Sequence, residues 1–310
     1  MTQGISIART AGYLLAALLT AVCTAALAQT APPAAAQTLP GTISDFHGYV
    51  CHNFQVDGCN ALLVEPKTPL PGRPWIWRTM FWDAFSNADV ALLGQGYYIA
   101  FIDVGDTFGA PAPMKHFDAF YQEMIAPPFN LAKKMTLEGL SRGGLYAFRW
   151  AYVNTDKVAC LYVDAPVCDM RSWPGGQGKS KRNQGEWEQA MRSYGFTTDA
   201  QLMDFQGEPI DILAPIAKAK IPIIDLCGDS DQYVPAEENS FIVHDRYEKM
   251  HGPIVMIVKE GCNHHPHGLS DPAMIVNFIM AHTAGGAIQK QAEKVALKPG
   301  TVLHLPKGQW

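Results

Sequence analysis

Residues 135–152, MTLEGLSRGGLYAFRWAY, decide the fold, because an apolar run meets a helical run at a glycine-rich turn. The first six residues predict a strand and the last ten predict a helix. A turn this tight forces Ser141 into a strained backbone conformation, and small residues two positions either side prevent collisions. The hydroxyl then projects above the sheet edge, where the N-terminus of the helix favours a developing oxyanion. Ser141 is therefore the predicted nucleophile.

Strands and helices alternate around this turn, which predicts a mostly parallel sheet with helices on both faces. Between residues 167 and 220 the alternation gives way to a Gly- and Lys-rich loop and short helices, and this predicts an inserted cap over the site. The predicted strands are 46–54, 61–65, 74–77, 97–104, 135–140, 158–164, 221–226 and 253–258, of which the first three form an antiparallel start. The main predicted helices are 88–95, 117–125, 143–154, 236–250 and 272–282.

Three histidines follow the last predicted strand, in the segment KEGCNHHPH at residues 259–267. An imidazole in this loop can reach a serine across the sheet edge. His264 is the predicted general base because it lies nearest the strand end, with His265 and His267 as alternatives. Adjacent histidines rarely reach one ion together, and no carboxylate has a matching spacing, so no metal site is predicted.

Two aspartates compete for the role of the acid that orients this histidine. Asp231 lies in GDSDQYVP, residues 228–235, directly after a strand. A carboxylate there can accept the second N–H of the histidine and stabilise the imidazolium that forms during turnover. Asp164 ends another strand and can supply a carboxylate from that position. Asp231 is the preferred acid, and Asp164 is the alternative.

The three motifs, in the chain order serine, aspartate and histidine, resemble the α/β-hydrolase superfamily over about residues 45–284. The resemblance implies the α/β-hydrolase fold, with a cap inserted after the sixth strand, and acyl transfer that needs no cofactor. It also implies an oxyanion hole built from the backbone N–H of Arg142 and a second N–H, expected at Arg78 or Thr79. The loop that holds this second donor reads WIWRTMF and lacks the family's common His-Gly pattern.

Aromatic side chains flank the motifs and predict a binding pocket, because aromatic faces beside an esterase site suit a sugar or an aryl ester. The predicted substrate contacts are Trp77, Phe81, Trp173 and His265. Core packing is the alternative for Trp77, since large aromatic residues dominate protein cores.

Arg142 follows the nucleophile directly, which gives its side chain two alternative roles. The guanidinium either braces the turn through a carboxylate such as Asp164 or Glu138, or it contacts an acidic group on the substrate. Bracing is the preferred interpretation.

The net charge of the chain and its N-terminal residues indicate which binding partners and which cellular compartment to expect. The net charge of −5 and the pI near 6.0 give no basic surface for a nucleic acid. The uncharged run at 11–28 follows Arg9 and ends in Ala-Leu-Ala, which predicts a signal peptide over 1–28 and a periplasmic or secreted protein without a stable membrane span. An uncleaved anchor or a lipid at Cys23 is the alternative. An Ala/Pro-rich linker is predicted at 29–44, and the tail at 285–310 is given no role.

Six cysteines follow the predicted signal peptide, and export would permit disulfides. Cys160 and Cys168 are not expected to pair, because eight extended residues span about 26 Å and a bridge needs Cα atoms within about 7 Å. Buried free thiols are the alternative for every pair. The pairs considered are Cys51 with Cys59 and Cys227 with Cys262.

The expected function is hydrolysis of a carboxylic ester through an acyl-enzyme, on a small-molecule or carbohydrate ester such as an acylated or methylated carbohydrate. A serine peptidase or amidase is the second hypothesis, because the GxSxGG turn also resembles that of prolyl-oligopeptidase-like enzymes. A non-catalytic binding protein on the same fold is the third. The sequence does not indicate an oligomeric state.

Overall fold

The computed structural model describes residues 38–310, which form one mixed ten-stranded sheet with nine helices and a 3-10 turn at Ala236–Glu238. The strands are β1 (Thr42–Phe46), β2 (Tyr49–Val56), β3 (Cys59–Glu65), β4 (Trp75–Arg78), β5 (Tyr98–Ile102), β6 (Met135–Leu140), β7 (Val158–Asp164), β8 (Ile223–Gly228), β9 (Ile254–Lys259) and β10 (Val302–Leu305). The helices are α1 (Asn87–Gly94), α2 (Met114–Ile125), α3 (Gly143–Val153), α4 (Gln184–Tyr194), α5 (Asp199–Met203), α6 (Leu213–Lys218), α7 (Ser240–Lys249), α8 (Ala273–Thr283) and α9 (Gly286–Val295).

The sheet has the order β1-β2-β3-β5-β4-β6-β7-β8-β9-β10. Strands β1, β2, β3 and β5 pair antiparallel in succession, and every later neighbour pair, from β5 with β4 to β9 with β10, is parallel. Strands β4, β6, β8 and β9 are buried at every residue, as expected for strands covered on both faces. The predicted fold class, a mostly parallel sheet with an antiparallel N-terminal part, is confirmed. The predicted strand at 74–77, however, was placed in the antiparallel part, whereas β4 is parallel to both of its neighbours.

The two ends of the sheet differ from the prediction. The predicted strand at 46–54 is two strands, β1 and β2, so the cap segment follows the seventh strand, β7, instead of the sixth. Strand β1 begins at Thr42, inside the predicted linker, and pairs with β2 from Thr42 to Phe46. The predicted signal peptide and the linker up to residue 37 lie outside the described residues. Between residues 38 and 310, no helix has the length and apolar character needed to cross a bilayer.

The tail at 285–310 has a structural role that weak periodicity concealed. Helix α9 packs beside α8, and its Ala292 is buried against the core. Strand β10 lies parallel to β9, with Leu305 opposite Lys259. The tail therefore extends the sheet at the edge where the histidine loop begins.

Trp77 belongs to the hydrophobic core. Its ring packs against those of Trp75, Phe117 and Trp150, with centroid distances of 5.8, 4.7 and 5.1 Å, and the side chain is 0% exposed. The prediction that Trp77 contacts substrate is therefore wrong, and the alternative of core packing holds.

The cysteines in residues 38–310 are all free thiols, so the predicted disulfides are not found. In the β2–β3 hairpin Cys51 is paired with Val64 and Cys59 with Val56, which places the two cysteines at opposite ends of the ladder. Burial raises the pKa of the Cys160 thiol to about 12, as expected for a thiol enclosed by apolar side chains.

Candidate active site

The turn between β6 and α3 holds Ser141 in the left-handed region, with φ of 50°. The backbone at the end of β7 fixes this strained conformation. Ser141 N donates to Asp164 O at 2.9 Å, and Val167 N donates to Ser141 O at 2.9 Å. A Cβ on Gly144 would lie 2.5 Å from Pro166 Cβ. Only glycine at this position therefore lets helix α3 begin so close to the segment after β7.

Ser141, His264 and Asp231 are brought together in one hydrogen-bonded chain. His264 Nε2 lies 2.9 Å from Ser141 Oγ, and His264 Nδ1 lies 2.7 Å from Asp231 Oδ2. With Nδ1–H donating to the carboxylate, Nε2 has a lone pair that accepts the serine O–H. The other carboxylate oxygen accepts N–H groups from Tyr233 and Val234 at 2.8 and 2.9 Å, which fixes the carboxylate in place.

Asn263 joins the two loops that carry the acid and the histidine. Its Oδ1 accepts His264 N at 2.8 Å and Gln232 N at 3.0 Å. Sequence reasoning missed this residue, although a side-chain amide directly before the histidine is a signal for a local bond to the backbone. Asn263 therefore sets the relative position of His264 and the Asp231 loop.

Asp164 lies beside the triad but bonds to a different histidine. Its Oδ1 lies 3.0 Å from His267 Nδ1, its Oδ2 accepts Gly268 N at 2.6 Å, and Lys259 Nζ lies 3.2 and 3.1 Å from the two oxygens. Burial alone would raise the pKa of Asp164, but the Lys259 ammonium and these hydrogen bonds outweigh it and lower the pKa below its ordinary value.

This second cluster anchors the loop that carries His264. Lys259 Nζ also donates to Pro266 O at 2.8 Å, and the side chains of Lys259 and Asp164 are buried. His264 is bonded to Asp231, so the alternative in which Asp164 acts as the acid does not fit this geometry. His267 is bonded to Asp164 and His265 is exposed, whereas His264 alone of the three is hydrogen-bonded to Ser141 in the described structure.

The predicted second oxyanion donor is wrong. Arg78 lies within the sheet, paired with Phe101 on β5 and Glu138 on β6, and Thr79 N donates to Glu138 O at 2.9 Å. The backbone of Met80, the next residue, lies beside the start of α3, where Met80 N is 3.8 Å from a Cβ built on Gly143. The backbone N–H of Met80 therefore replaces that of Arg78 as the candidate second oxyanion donor, beside the N–H of Arg142.

The side chain of Arg78 has a structural role that the sequence did not reveal. The guanidinium bonds to Asp89, to Phe81 O at 3.0 Å and to Glu138 at 3.0 Å, and it is 1% exposed. It thereby links β4, β6 and α1 and also holds the backbone of the loop after β4.

The Arg142 guanidinium braces the turn, but not through the predicted carboxylates. It bonds to Asp106, in the loop after β5, and to Glu186 on α4 at 2.6 Å. The preferred interpretation of bracing therefore agrees with the structure, whereas the expected partners, Asp164 and Glu138, were wrong. The contact with Glu186 connects the nucleophile turn directly to the cap segment.

The aromatic residues predicted to contact substrate lie around this guanidinium. The Arg142 Cζ atom is 5.5 Å from the ring centroid of Phe81, 5.4 Å from that of Phe108 and 5.7 Å from that of Trp173. The ring of His265 lies 4.8 Å from that of His264 at the solvent side of the loop. Phe81, Trp173 and His265 thus remain predicted contacts, now with positions near Ser141.

A cleft of about 680 Å³ lies between the cap segment and the Asp231 loop. Trp173 and Asn183 line one side, and Asp231, Tyr233 and Asn263 line the other. The lining is rich in polar groups, and Trp173 is shared with the ring cluster around the Arg142 guanidinium. The cleft therefore opens beside the triad on the side of its acid.

Similarity to proteins of known structure is evident in the fold. A puromycin-hydrolyzing peptidase of Mycobacterium tuberculosis matches with a TM-score of 0.58 at 14% identity, over 83% of this chain and 41% of that chain. The acylaminoacyl peptidase of Pyrococcus horikoshii matches with a TM-score of 0.58 at 12% identity, over 78% and 43%. This chain has the α/β-hydrolase fold.

A third α/β-hydrolase of similar structure matches over nearly all of its own length. The S-formylglutathione hydrolase FrmB of Staphylococcus aureus has a TM-score of 0.53 at 14% identity, over 79% of this chain and 97% of that chain. The present chain spans less than half the length of the two peptidases. No model of a protein family matches the chain, and no curated protein matches it.

Proposed function

We propose that this chain is a serine hydrolase that cleaves a carboxylic ester through an acyl-enzyme. Ser141 Oγ attacks the ester carbonyl carbon while His264 Nε2 takes the hydroxyl proton. The tetrahedral intermediate collapses as His264 returns that proton to the leaving alkoxide, and the alcohol departs. A water molecule then repeats the sequence on the acyl-enzyme and releases the acid. Asp231 holds the imidazole tautomer and stabilises the imidazolium in both halves.

The observation that carries this proposal is the continuous chain from Asp231 through His264 to Ser141, with contacts of 2.7 and 2.9 Å. Both lie within the range in which a base can take a proton from a nucleophile. The negative charge that develops on the carbonyl oxygen would be stabilised by the N–H of Arg142, at the N-terminus of α3, and by the N–H of Met80, in the loop after β4.

The proposed substrate is a small-molecule or carbohydrate ester, such as an acylated or methylated carbohydrate. The polar cleft beside the acid and the partly exposed Trp173 support this choice, because sugars bind through hydrogen bonds and aromatic faces. Export to the periplasm or medium is proposed on the uncharged run at residues 11–28. An extracellular carbohydrate ester is consistent with that location.

A serine peptidase or amidase is the second candidate. Its support is the likeness to two peptidases, of which one is described as hydrolysing puromycin. The same serine chemistry cleaves amides when the general acid protonates a leaving amine. Relative kcat/KM on matched ester and amide substrates distinguishes the two candidates.

The first test is labelling of the purified protein with a fluorophosphonate, which reacts with activated serines and needs no knowledge of the substrate. We expect the wild type to label and Ser141→Ala to remain unlabelled. Ser44→Ala is the matched control, because Ser44 is exposed on β1, outside the triad, and should label like the wild type. Equal labelling of Ser141→Ala and the wild type would overturn the proposal.

The same three proteins should then be assayed on acetyl, methyl and aryl esters and on aminoacyl anilides. Loss of the nucleophile is expected to lower kcat by about 10⁴-fold or more, with the unfolding midpoint close to that of the wild type. Higher kcat/KM on anilides than on matched esters would favour the peptidase.

A further inference from the structure

We infer that His264, His265 and His267 form a binding site for a divalent transition-metal ion, such as Zn²⁺, and that the bound ion inhibits the enzyme. The inhibition rests on the proposed function, whereas the metal site stands on the geometry of the loop alone. Sequence reasoning set this site aside because adjacent histidines rarely reach one ion. In the folded loop, however, one ring nitrogen from each histidine lies within 4.8 Å of the others.

The three rings meet edge to face in a compact group. The ring centroids of His264 and His265 are 4.8 Å apart, and the ring of His267 lies 5.0 Å from each. Two nitrogen ligands of a tetrahedral zinc ion stand about 3.4 Å apart, at about 2.1 Å from the metal. The ring nitrogens therefore have to approach one another by up to about 1.4 Å when the ion binds.

Each of the two buried histidines has a carboxylate partner on one ring nitrogen. His264 Nδ1 lies 2.7 Å from Asp231, and His267 Nδ1 lies 3.0 Å from Asp164. A histidine that ligates a metal usually donates its other N–H to a carboxylate, which fixes the ring and strengthens the ligand. Both pairs have this arrangement, so Nε2 is the nitrogen of each ring that would bind the ion, in His264 by displacing the hydroxyl of Ser141.

The third ligand provides access from solvent. His265 is exposed, and its ring stacks on Phe85 with a centroid distance of 5.6 Å. Metal can therefore reach the group without opening the fold, and water can fill the remaining coordination position.

The charges around the group favour a cation. Asp231 and Asp164 each contribute a carboxylate, and Lys259 compensates one of them through its contact with Asp164. The net charge of these two carboxylates and one ammonium is negative, and a negative net charge attracts a metal cation.

A metal ion and the serine compete for the same lone pair. His264 Nε2, 2.9 Å from Ser141 Oγ, accepts the serine hydroxyl proton in the proposed mechanism. Coordination of Nε2 to a metal removes that acceptor, so the metal-bound protein holds a serine without a base. The protein is thus active when metal-free and inactive when zinc is bound.

The first experiment measures Zn²⁺ affinity by competition with a chelating dye, using Zn²⁺ alone and no substrate. We expect one ion per chain in the wild type and at least about tenfold weaker binding in His265→Gln and His267→Gln. Ser141→Ala, which lacks the competing hydroxyl, should bind at least as tightly as the wild type. His304→Gln is the matched control, because His304 lies on β10 outside the cluster.

His267→Gln alters the buried Asp164 cluster, so its folding is checked by circular dichroism before titration. His265 is exposed, and His265→Gln keeps the test decisive if the other variant unfolds. Zinc binding that is equally tight in His265→Gln, His304→Gln and the wild type would overturn the inference. Absence of a stoichiometric site in the wild type would overturn it too.

The second experiment follows ester hydrolysis and fluorophosphonate labelling during Zn²⁺ titration, with each variant normalised to its own zinc-free rate. Zinc should inhibit the wild type, a chelator should restore the activity, and His265→Gln should need at least about tenfold more zinc. A protein that binds one zinc ion but never labels would refute the proposed function and leave the metal site standing. A labelled enzyme without the site would refute only the inference.

Discussion

Two aspartate–histidine pairs lie side by side in this molecule, and their third partners differ. Asp231 and His264 lead to the hydroxyl of Ser141, whereas Asp164 and His267 share a buried cluster with the ammonium of Lys259. The first pair ends at a weak nucleophile beside a cleft. The second ends at a fixed positive charge that satisfies its carboxylate.

The difference teaches that a carboxylate at the end of a strand acquires its role from what it bonds to. Asp164 accepts bonds from Lys259, from Gly268 N and from His267, so it keeps its charge and holds the loop. Asp231 accepts two backbone N–H groups on one oxygen and reserves the other for His264. The contacts of Asp164 are suited to holding the loop, and those of Asp231 are suited to the proton transfer proposed above.

The largest expected effect separates the pairs by rate. Asp231→Asn should lower kcat on a reactive ester by about 10⁴-fold, because the imidazole loses the acceptor that fixes its tautomer. Steady-state kinetics and an unfolding curve measure the rate and the stability of the same sample. Asp229→Asn, at an exposed residue of the same loop, is the control and should retain most activity. A larger loss of kcat per folded molecule in Asp164→Asn would reverse the assignment of the acid.

The second expected effect separates the pairs by stability. Asp164→Asn leaves the buried Lys259 ammonium without its carboxylate, and breaking such a pair costs about 3–5 kcal/mol of unfolding free energy. Urea unfolding of the variant and the wild type measures the change, with Asp231→Asn as the comparison. A change below about 1 kcal/mol would show that the cluster does not anchor the fold.

The smallest expected effect concerns acid. The folded-state pKa of Asp164 lies below its ordinary value, so the stability that its charge provides is fully present above about pH 3.9 and is lost as pH falls through the folded pKa. The difference in unfolding free energy between the wild type and Asp164→Asn should therefore become smaller below about pH 4. Unfolding free energies of both proteins from pH 6 to pH 3 test this, and a constant difference would contradict it.

The sequence was sufficient for the fold class and for the prediction that Ser141, Asp231 and His264 lie together. Strand β6, the glycine-rich turn and helix α3 are local features, and each agrees with the apolar pattern that predicted it. Loops that follow parallel strands meet at one edge of the sheet. The serine, aspartate and histidine motifs could therefore be placed together from the sequence alone.

The partners of the charged residues could not be predicted in the same way. Arg142 bonds to Asp106 and Glu186, which lie 36 and 44 residues away and come from a loop and the cap. No spacing rule connects such segments, because their approach depends on the packing of the whole domain. The same holds for Arg78, whose place inside the sheet excludes the oxyanion role that the resemblance to the α/β-hydrolases implied.

The burial of Lys259 has a use beyond stability. Its amine is 1% exposed and donates to Asp164 and to Pro266 O, so it is shielded from reagents that acylate lysine while the loop is closed. Exposed amines such as Lys249 react without any opening. The ratio of the modification rates of Lys259 and Lys249, measured by mass spectrometry, therefore reports how often the loop around Lys259 opens, and this measurement does not depend on catalysis.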